Sequence, residues 1–503
     1  MKTTELREPL TTLEEATPPA GERGNGRKQS LGNFDFMTVP LFKRALRSRW
    51  FQPVLLIFSL VIFVILIMAG LVGSPVGNRN AAIIIVWIFW FFILIVALVP
   101  IGGRSWCMMC PLPAPGEWLS RLSIVRKSRI SMPNPGLKWP KRLDNLWVQN
   151  FGFLVVSALS PVILTRPWAT SYFLIFMIVA AVVFSLLFKK QGKSGRIFCR
   201  YVCPLGGFIG LYSLAGALEI KARDRDICRT CGSKSCVKGS EDGYGCPWFE
   251  YPGKMDRNLY CGLCTECIKT CPNDNIAFRT RPFGADLLKK RKLDEAFKSF
   301  IMLGSAMFFL MVFFGWWGTL KDIADPLSGG TFFARERFQW NDLLLYSGLL
   351  WSVCLLGLPG LTLLFAWITK KTSLKTASVK KLFIDYAYAL VPLGLMAWVG
   401  FVVGMLLVNG TYVAAIISDP FGWGWNLFGT RDIPWRPLLP RLVPFIQIAA
   451  VFCGLTLTAI TGKKVVAENA AETPGTLKLK SLLPFAILTG ALGAVFIFLF
   501  VMP

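Results

Sequence analysis

One run of cysteines carries the clearest chemistry in this chain. Between Cys261 and Cys271 the sequence reads CGLCTECIKTCP. With this spacing a ferredoxin loop wraps three thiolates around one [4Fe-4S] cluster and sends the fourth, which precedes a proline, to a neighbouring cluster. Electron transfer is therefore the first functional hypothesis.

A neighbouring cluster needs ligands of its own, and four further cysteines stand upstream, the last of them before Pro247. The crossed arrangement of two-cluster ferredoxins then predicts two sets. The first set is Cys228, Cys231, Cys236 and Cys271, and the second set is Cys246, Cys261, Cys264 and Cys267. Zinc is the alternative, because zinc sites also use CxxC pairs, but zinc has no reason to prefer the order CxxCxxCxxxCP.

Two other cysteine pairs form an internal repeat. GRSWCMMCPL covers residues 103–112 and GRIFCRYVCPL covers residues 195–205, and each follows an apolar hairpin. Proline favours the first turn of a helix, so Cys110 and Cys203 are predicted at helix N-termini, where the helix dipole stabilises a thiolate. Arg104 and Arg196 add positive charge.

We call Cys107, Cys110, Cys199 and Cys203 the membrane-boundary set. Repeated membrane halves often converge on a shared site, so the two pairs are expected to meet. Three interpretations stay open for them: a metal or additional iron–sulfur centre, a redox-active dithiol, or small residues that serve helix packing. Cys354 and Cys453 have no cysteine nearby in sequence and are interpreted as packing residues.

The elements that must position these cysteines are membrane helices. Hydrophobic residues make up 54% of the 503 positions, and apolar runs of about 20 residues, long enough to cross a bilayer, recur along the chain. Nine spans are predicted: Phe51–Val72, Ala81–Pro100, Gln149–Leu164, Ser171–Phe188, Ser299–Gly318, Leu344–Thr369, Leu382–Val408, Leu442–Thr461 and Ser481–Met502. The predicted fold is an all-α integral membrane protein with an inserted cytoplasmic two-cluster ferredoxin-like domain.

Four regions follow from this pattern. They are a disordered N-terminal segment (1–40), a four-helix membrane domain with both Cys-Pro motifs (41–221), the two-cluster domain (222–282) and a five-helix membrane domain (283–503).

The basic residues predict the orientation. If alternate loops are assigned to opposite faces, one face holds only eight of the 55 Lys and Arg residues. The positive-inside rule makes the rich face cytoplasmic, together with the N-terminus and both kinds of cysteine motif, and places the C-terminus outside. The formal charge of +26 then reflects topology and contact with anionic lipid, so no nucleic acid is expected as a partner. Stable disulfides are not expected in the reducing cytoplasm.

These motifs carry a family resemblance. Paired GRxxCxxxCPL repeats after membrane hairpins, followed by a cytoplasmic two-cluster segment, resemble the NosR/NapH group of polyferredoxin-type membrane proteins, with the copper-oxidase assembly protein CcoG as a relative. The resemblance covers about residues 51–281, and the first motif departs from it because it reads CxxCP. It implies an iron–sulfur protein of the prokaryotic cytoplasmic (inner) membrane that moves electrons between the quinone pool and other redox subunits, as a quinol dehydrogenase-type subunit does.

The chain contains no histidine, which excludes haem ligated by His. Asp385 is the one acid within a predicted span and is a candidate for quinone protonation; the alternative is a residue paired with Lys380 or Lys381. The predicted function is electron transfer between quinone and a partner through two [4Fe-4S] clusters and a third, membrane-boundary centre. The competing hypotheses are a CcoG-like copper reductase or assembly factor and, less favoured, a redox sensor.

Overall fold

The chain folds into a mostly helical structure, here a computed structural model that describes residues 34–125, 132, 135–190, 195–313, 340–471 and 479–501. The helices are α1 (Pro40–Arg47), α2 (Phe51–Val72), α3 (Ala81–Gly102), α4 (Ser105–Met109), α5 (Ala114–Arg121), α6 (Trp147–Leu159), α7 (Pro167–Leu187), α8 (Ile197–Tyr201), α9 (Pro204–Tyr212), α10 (Arg225–Thr230), α11 (Ser235–Lys238), α12 (Glu266–Thr270), α13 (Leu293–Phe313), α14 (Leu343–Thr372), α15 (Val379–Ala389), α16 (Val391–Ser418), α17 (Val443–Ala471) and α18 (Leu479–Val501). Four strands form two small sheets: β1 (Leu137–Lys138) with β2 (Phe188–Lys189), and β3 (Leu218–Ala222) with β4 (Ile276–Thr280).

Eight helical segments in the described residues are long and apolar enough to cross a bilayer. They are α2, α3, α7, α13, α14, the continuous pair α15 and α16, α17 and α18. The chain is therefore a multi-pass membrane protein by helix length and composition.

The predicted third span is corrected by this structure. Helix α6 has only 13 residues, about 20 Å at 1.5 Å per residue, which is shorter than the apolar core of a bilayer. Residues 160–164 continue it as turns, and a Cβ added to Gly77, beyond the end of α2, would lie 3.4 Å from the carbonyl oxygen of Thr165. A short helix and a run of turns thus cover the distance for which the sequence predicted one helix.

Helix α13 lies at the centre of the membrane part, and most of its side chains are buried. The Trp398 indole N–H of α16 donates to the Met302 carbonyl at 3.0 Å, which ties α16 to this central helix. A Cβ added to Gly304 would lie 2.5 Å from the sulfur of Cys354, so α13 and α14 approach closely at that point. Cys354 is fully buried there, consistent with a packing residue.

The cysteine-rich segment between α9 and α13 is closed by the antiparallel pair of β3 and β4, in which Leu218 lies opposite Thr280 and Ala222 opposite Ile276. Residues 223–275 carry all eight cysteines of the first and second sets. The two ends of this segment therefore lie side by side, where β3 pairs with β4. Its small apolar core contains Ile220, Leu263 and Ile276.

The N-terminal region packs on this segment. Met37 and Leu46 join its apolar core, and Lys43 and Arg47 of α1 pair with Asp274 at 2.5 and 2.6 Å. Residues 1–33 of the predicted disordered segment lie outside the described residues, whereas residues 34–40 are folded. Met37 is buried against the cysteine-rich segment, which stabilises the folded conformation of residues 34–40.

Candidate metal centres

The first set of cysteines meets on two short helices. Cys228 lies on α10 and Cys236 on α11, while Cys231 and Cys271 directly follow α10 and α12. Burial first, and then the nearby thiolates of the other three members, raise the pKa of Cys236 to about 12. The four residues of the first set thus lie within electrostatic reach of one another, and their ligation of one cluster stays a prediction.

The second set also meets. Burial raises the pKa of Cys267 well above its usual value, and the charges of Cys261, Cys246 and Cys264 add to this effect. The backbone N–H of Cys246 donates to the carbonyl of Cys236 at 2.9 Å, so the second set adjoins the first.

Two sulfur atoms of the first set accept hydrogen bonds. The side-chain amide of Asn275 donates to the Cys228 sulfur at 3.3 Å, and its backbone N–H donates to the Cys271 sulfur at 3.4 Å. Leu263 and Thr265 of the CGLCTEC loop have φ values of 51° and 63°, a left-handed conformation that non-glycine residues adopt rarely. Successive N–H groups in such loops form anion-binding concavities that are common at Fe–S sites.

The membrane-boundary set forms a third group. Burial raises the pKa of Cys199 well above its usual value, and the charges of Cys203, Cys110 and Cys107 raise it further. Burial likewise raises the pKa of Cys203 to about 11, although the Gly206 N–H donates to its sulfur at 3.3 Å. The four thiols of the two repeats therefore lie within electrostatic reach of one another, and their assignment to one shared centre stays a prediction.

Cys203 caps the N-terminus of α9, as predicted, but Cys110 does not begin a helix. After Cys110 the chain reads PLPAP, and α5 starts only at Ala114. The α conformation is disfavoured for the residue before a proline, and Leu112 precedes Pro113. The turn that results therefore separates Cys110 from α5, and the prediction of a helix N-terminus at Cys110 is wrong.

The repeats are locked together by their arginines in a reciprocal way. Arg104 of the first repeat donates to the carbonyl of Cys199 in the second repeat at 3.4 Å, and Arg196 of the second donates to the carbonyl of Cys107 in the first. The glycine before each arginine is also explained. Gly103 has a φ of 57°, and a Cβ at Gly195 would lie 2.7 Å from the Pro247 carbonyl.

The same arginines link this set to the cysteine-rich segment. Arg104 donates to the Leu259 carbonyl at 2.8 Å and stacks on Trp248, with 4.4 Å between guanidinium carbon and ring centroid. Arg196 is fully buried, pairs with Glu117 at 3.0 Å, and lies near enough to Cys199 and Cys264 that their charges raise its pKa. The three groups are therefore contiguous, with the second set in the middle.

Sequence reasoning predicted positive charge from these arginines but missed their crossed contacts, and it missed Glu117 entirely. Both arginines stand three residues before a cysteine, which is the signal for their equivalence. Glu117 has no counterpart in the second repeat and no motif that would have singled it out.

The chemistry of the donors fits iron–sulfur clusters. Three groups of four cysteines match the Cys₄ ligation of [4Fe-4S] clusters. Among the described residues no three Cys, Asp or Glu side chains surround a single point as the ligands of one ion do. A cluster does not require this, because each thiolate binds a different iron atom.

Asp385 lies apart from the cysteines. It forms an ion pair with Arg291 at 2.5 Å and accepts a hydrogen bond from Asn469 at 2.8 Å. The geometry therefore supports the alternative of a cation-paired residue, and Arg291 is one of its partners. The assignment of Asp385 to quinone protonation stays a prediction without a contact that supports it.

Comparison with known proteins gives weak similarities, and neither a family model nor a solved structure matches the chain. An uncharacterized protein of Methanocaldococcus jannaschii is 26% identical over 37% of this chain and 76% of its own length. "Putative electron transport protein YccM" of Escherichia coli is 26% identical over 36% of this chain and 51% of its own length. "Methylamine utilization ferredoxin-type protein MauN" of Methylorubrum extorquens is 27% identical over 33% of this chain and 55% of its own length.

Proposed function

We propose that this chain is a membrane iron–sulfur protein that transfers electrons between the quinone pool and a redox partner. The observation that carries the proposal is the contiguous series of three four-cysteine groups, which starts at the ends of membrane helices and continues through the cysteine-rich segment. Electron transfer needs such closely placed centres, whereas a purely structural role does not. The names of the two similar proteins, electron transport and ferredoxin-type, agree with it.

In this proposal the first and second sets each hold one [4Fe-4S] cluster and the membrane-boundary set holds a third centre. Bound clusters would supply one-electron redox chemistry without protons. The protein's own residues bury the sulfurs, donate hydrogen bonds to them and offset their negative charge. Arg104 and Arg196 offset the negative charge of the membrane-boundary set.

The proposal includes a location. The distribution of Lys and Arg places the cysteine groups on the cytoplasmic side of a prokaryotic inner membrane and the C-terminus outside. The redox partner would then be a cytoplasmic or membrane subunit that approaches the first set, the group farthest along the series from the membrane helices.

Iron and acid-labile sulfide analysis of anaerobically purified protein tests the proposal. We expect at least about eight irons per chain, and Cys264→Ser should remove about four of them because it takes one ligand from the second set. Cys453→Ser is the matched control, since Cys453 is an exposed residue of α17 outside the three groups. Fewer than about four irons, with zinc or copper in their place, would contradict the proposal.

A further inference from the structure

An apolar cavity lies inside the membrane part of the protein. It has a volume of about 330 Å³ and is enclosed by α2, α3, α6 and α7 together with side chains of α13 and α16. This volume falls in the range of about 300–1,000 Å³ that is typical of small-molecule sites. It is therefore large enough to hold a ring-bearing ligand.

One wall of the cavity belongs to the membrane-boundary set. Cys110, Pro111 and Leu112 of the first repeat and Pro204 and Leu205 of the second line it. Cys110 is thus a member of the four-cysteine group and of the cavity wall at once. No layer of protein separates a ligand in the cavity from that group.

The cavity wall formed by α3 has an unusual backbone. Ile84–Trp90 and Leu94–Leu98 are wound as π-helix, and Val86, Trp87 and Trp90 within the first of these stretches line the cavity. π-helical turns are rare and occur frequently at functional sites. This observation is independent of the cysteines and concerns the same cavity.

The lining defines the chemistry of the occupant. It contains no charged side chain, and its polar groups are a few hydroxyls and indole N–H groups, among them Ser59 and Ser157. Phe309 and Trp398, which come from the C-terminal membrane helices, add to the aromatic surface. A flat ring with one or two carbonyl oxygens suits such a wall, whereas a phosphate or ammonium headgroup does not.

The cavity also has an entrance from the lipid. Phe58 and Ile62 of α2 line it and are 62% and 39% exposed on the outer surface of this membrane helix. A ligand with a long apolar tail can therefore place its ring inside and leave the tail among the lipids.

We propose that this cavity binds the ring of an isoprenoid quinone beside Cys110, and that the C-terminal helices complete the site through Phe309 and Trp398. The inference rests on the proposed function and adds to it the place where the quinone binds. It also gives a role to the C-terminal membrane domain and separates the quinone site from Asp385, which does not line the cavity.

Two matched variants of α2 test the site. Ile62→Trp fills the entrance, whereas Ile65→Trp makes the same change at a residue that is equally exposed, at 42% against 39%, and does not line the cavity. Binding of short-chain ubiquinone and menaquinone analogues to the purified full chain in lipid nanodiscs is measured by equilibrium titration. Iron content and chromatographic elution confirm that each variant is folded.

We expect at least one analogue to bind, Ile62→Trp to weaken its binding at least tenfold, and Ile65→Trp to change it less than twofold. A fatty acid at the same concentration should not displace the quinone. Any of three results would overturn the inference. They are equal effects of the two variants, displacement of the quinone by the fatty acid, and no quinone binding to iron-loaded wild-type protein. The last result would leave the iron–sulfur function standing, whereas a protein without iron would refute that function itself.

Discussion

At the scale of residues, burial governs how the thiols take up metal. The pKa values of Cys203, Cys236 and Cys264 are raised to about 11, 12 and 12, in each case chiefly by burial. A thiol with a raised pKa keeps its proton at pH 7, so iron must displace that proton to bind. Cys231 is the exception, since the Ser233 hydroxyl lowers its pKa.

We therefore predict that cluster assembly on metal-free protein releases protons and becomes more favourable as the pH rises from 6.5 to 8.5. Each thiol that must ionise contributes up to about tenfold per pH unit. Proton release is measured with an indicator dye during anaerobic reconstitution in weak buffer. Iron uptake that releases no protons would mean that the thiolates are already formed in the metal-free protein. That result would contradict the prediction that burial keeps these thiols protonated.

The sequence predicts the members of three cysteine groups, because cluster ligation requires cysteines at fixed spacings that are visible in the chain, and their ligation of clusters stays a prediction. It did not predict the crossed contacts of Arg104 and Arg196, because hydrogen bonds to backbone carbonyls across two repeats leave no residue pattern of their own. The Asp385–Arg291 pair was missed for a similar reason. Arg291 lies 94 positions away from Asp385 and reaches it only through the packing of the C-terminal helices.

At the scale of elements, the cysteine-rich segment is held to the membrane part by buried ion pairs. Asp286, which is fully buried, pairs with Arg281 and, at 3.6 Å, with Lys221 of β3, and it accepts a hydrogen bond from the Asn258 N–H at 2.8 Å. Burial alone would raise its pKa, but Arg281 and Lys221 lower it to about 2. Asp286 thus joins β3, the loop before Cys261 and the chain that leads into α13.

Replacing Asp286 by Asn should destabilise the protein by about 2 kcal/mol at pH 7, because a depression of the pKa by nearly two units is worth about that much. The folded-state pKa is below the unfolded one, so this stabilisation is complete above about pH 4 and is lost as the pH falls through about 2. The difference between wild type and Asp286→Asn should therefore shrink in acid.

Denaturation of the detergent-solubilised proteins, followed by tryptophan fluorescence, measures this difference. Asp226→Asn is the control, because Asp226 is exposed and its ion-pair partner among the described residues is the exposed Arg229, and it should change stability by less than about 0.5 kcal/mol. Equal losses from Asp226→Asn and Asp286→Asn would rule out the special role of the buried pair.

The element boundaries were predictable where apolar runs are long and uninterrupted, as in α2 and α18. They were not predictable at α6, where residues 149–164 carry no charge and are mostly apolar but the helix ends at Leu159. Ser160 keeps helical φ and ψ angles, but Pro161 has no N–H to donate to the carbonyl four residues before it, so the helix ends and turns follow. The ordered conformation of residues 34–40 was not predicted, because the burial of these residues depends on β4 and the cysteine-rich core, which are distant in sequence.

At the scale of the whole molecule, the apolar cavity and the three cysteine groups adjoin one another in series. The apolar cavity lies among the membrane helices, Cys110 forms part of its wall, Arg196 stands between the membrane-boundary set and Cys264, and Cys246 adjoins Cys236. The order of these groups agrees with a proposed electron route from the lipid phase to the first set. The sequence indicated the two ends of this proposed route, but not the cavity, which is lined by side chains from eight helices.

The most direct test of this account is reduction of the protein by a quinol. Wild-type protein and Cys203→Ser are prepared anaerobically in nanodiscs, and electron paramagnetic resonance follows cluster reduction by a menaquinol or ubiquinol analogue and, separately, by dithionite. We predict that the quinol reduces the clusters of the wild type and that the rate of this reduction is at least tenfold lower in Cys203→Ser. Dithionite should still reduce the first-set and second-set clusters in both proteins. Unchanged reduction of Cys203→Ser by the quinol would contradict the account, because electrons would then reach the clusters without the membrane-boundary set.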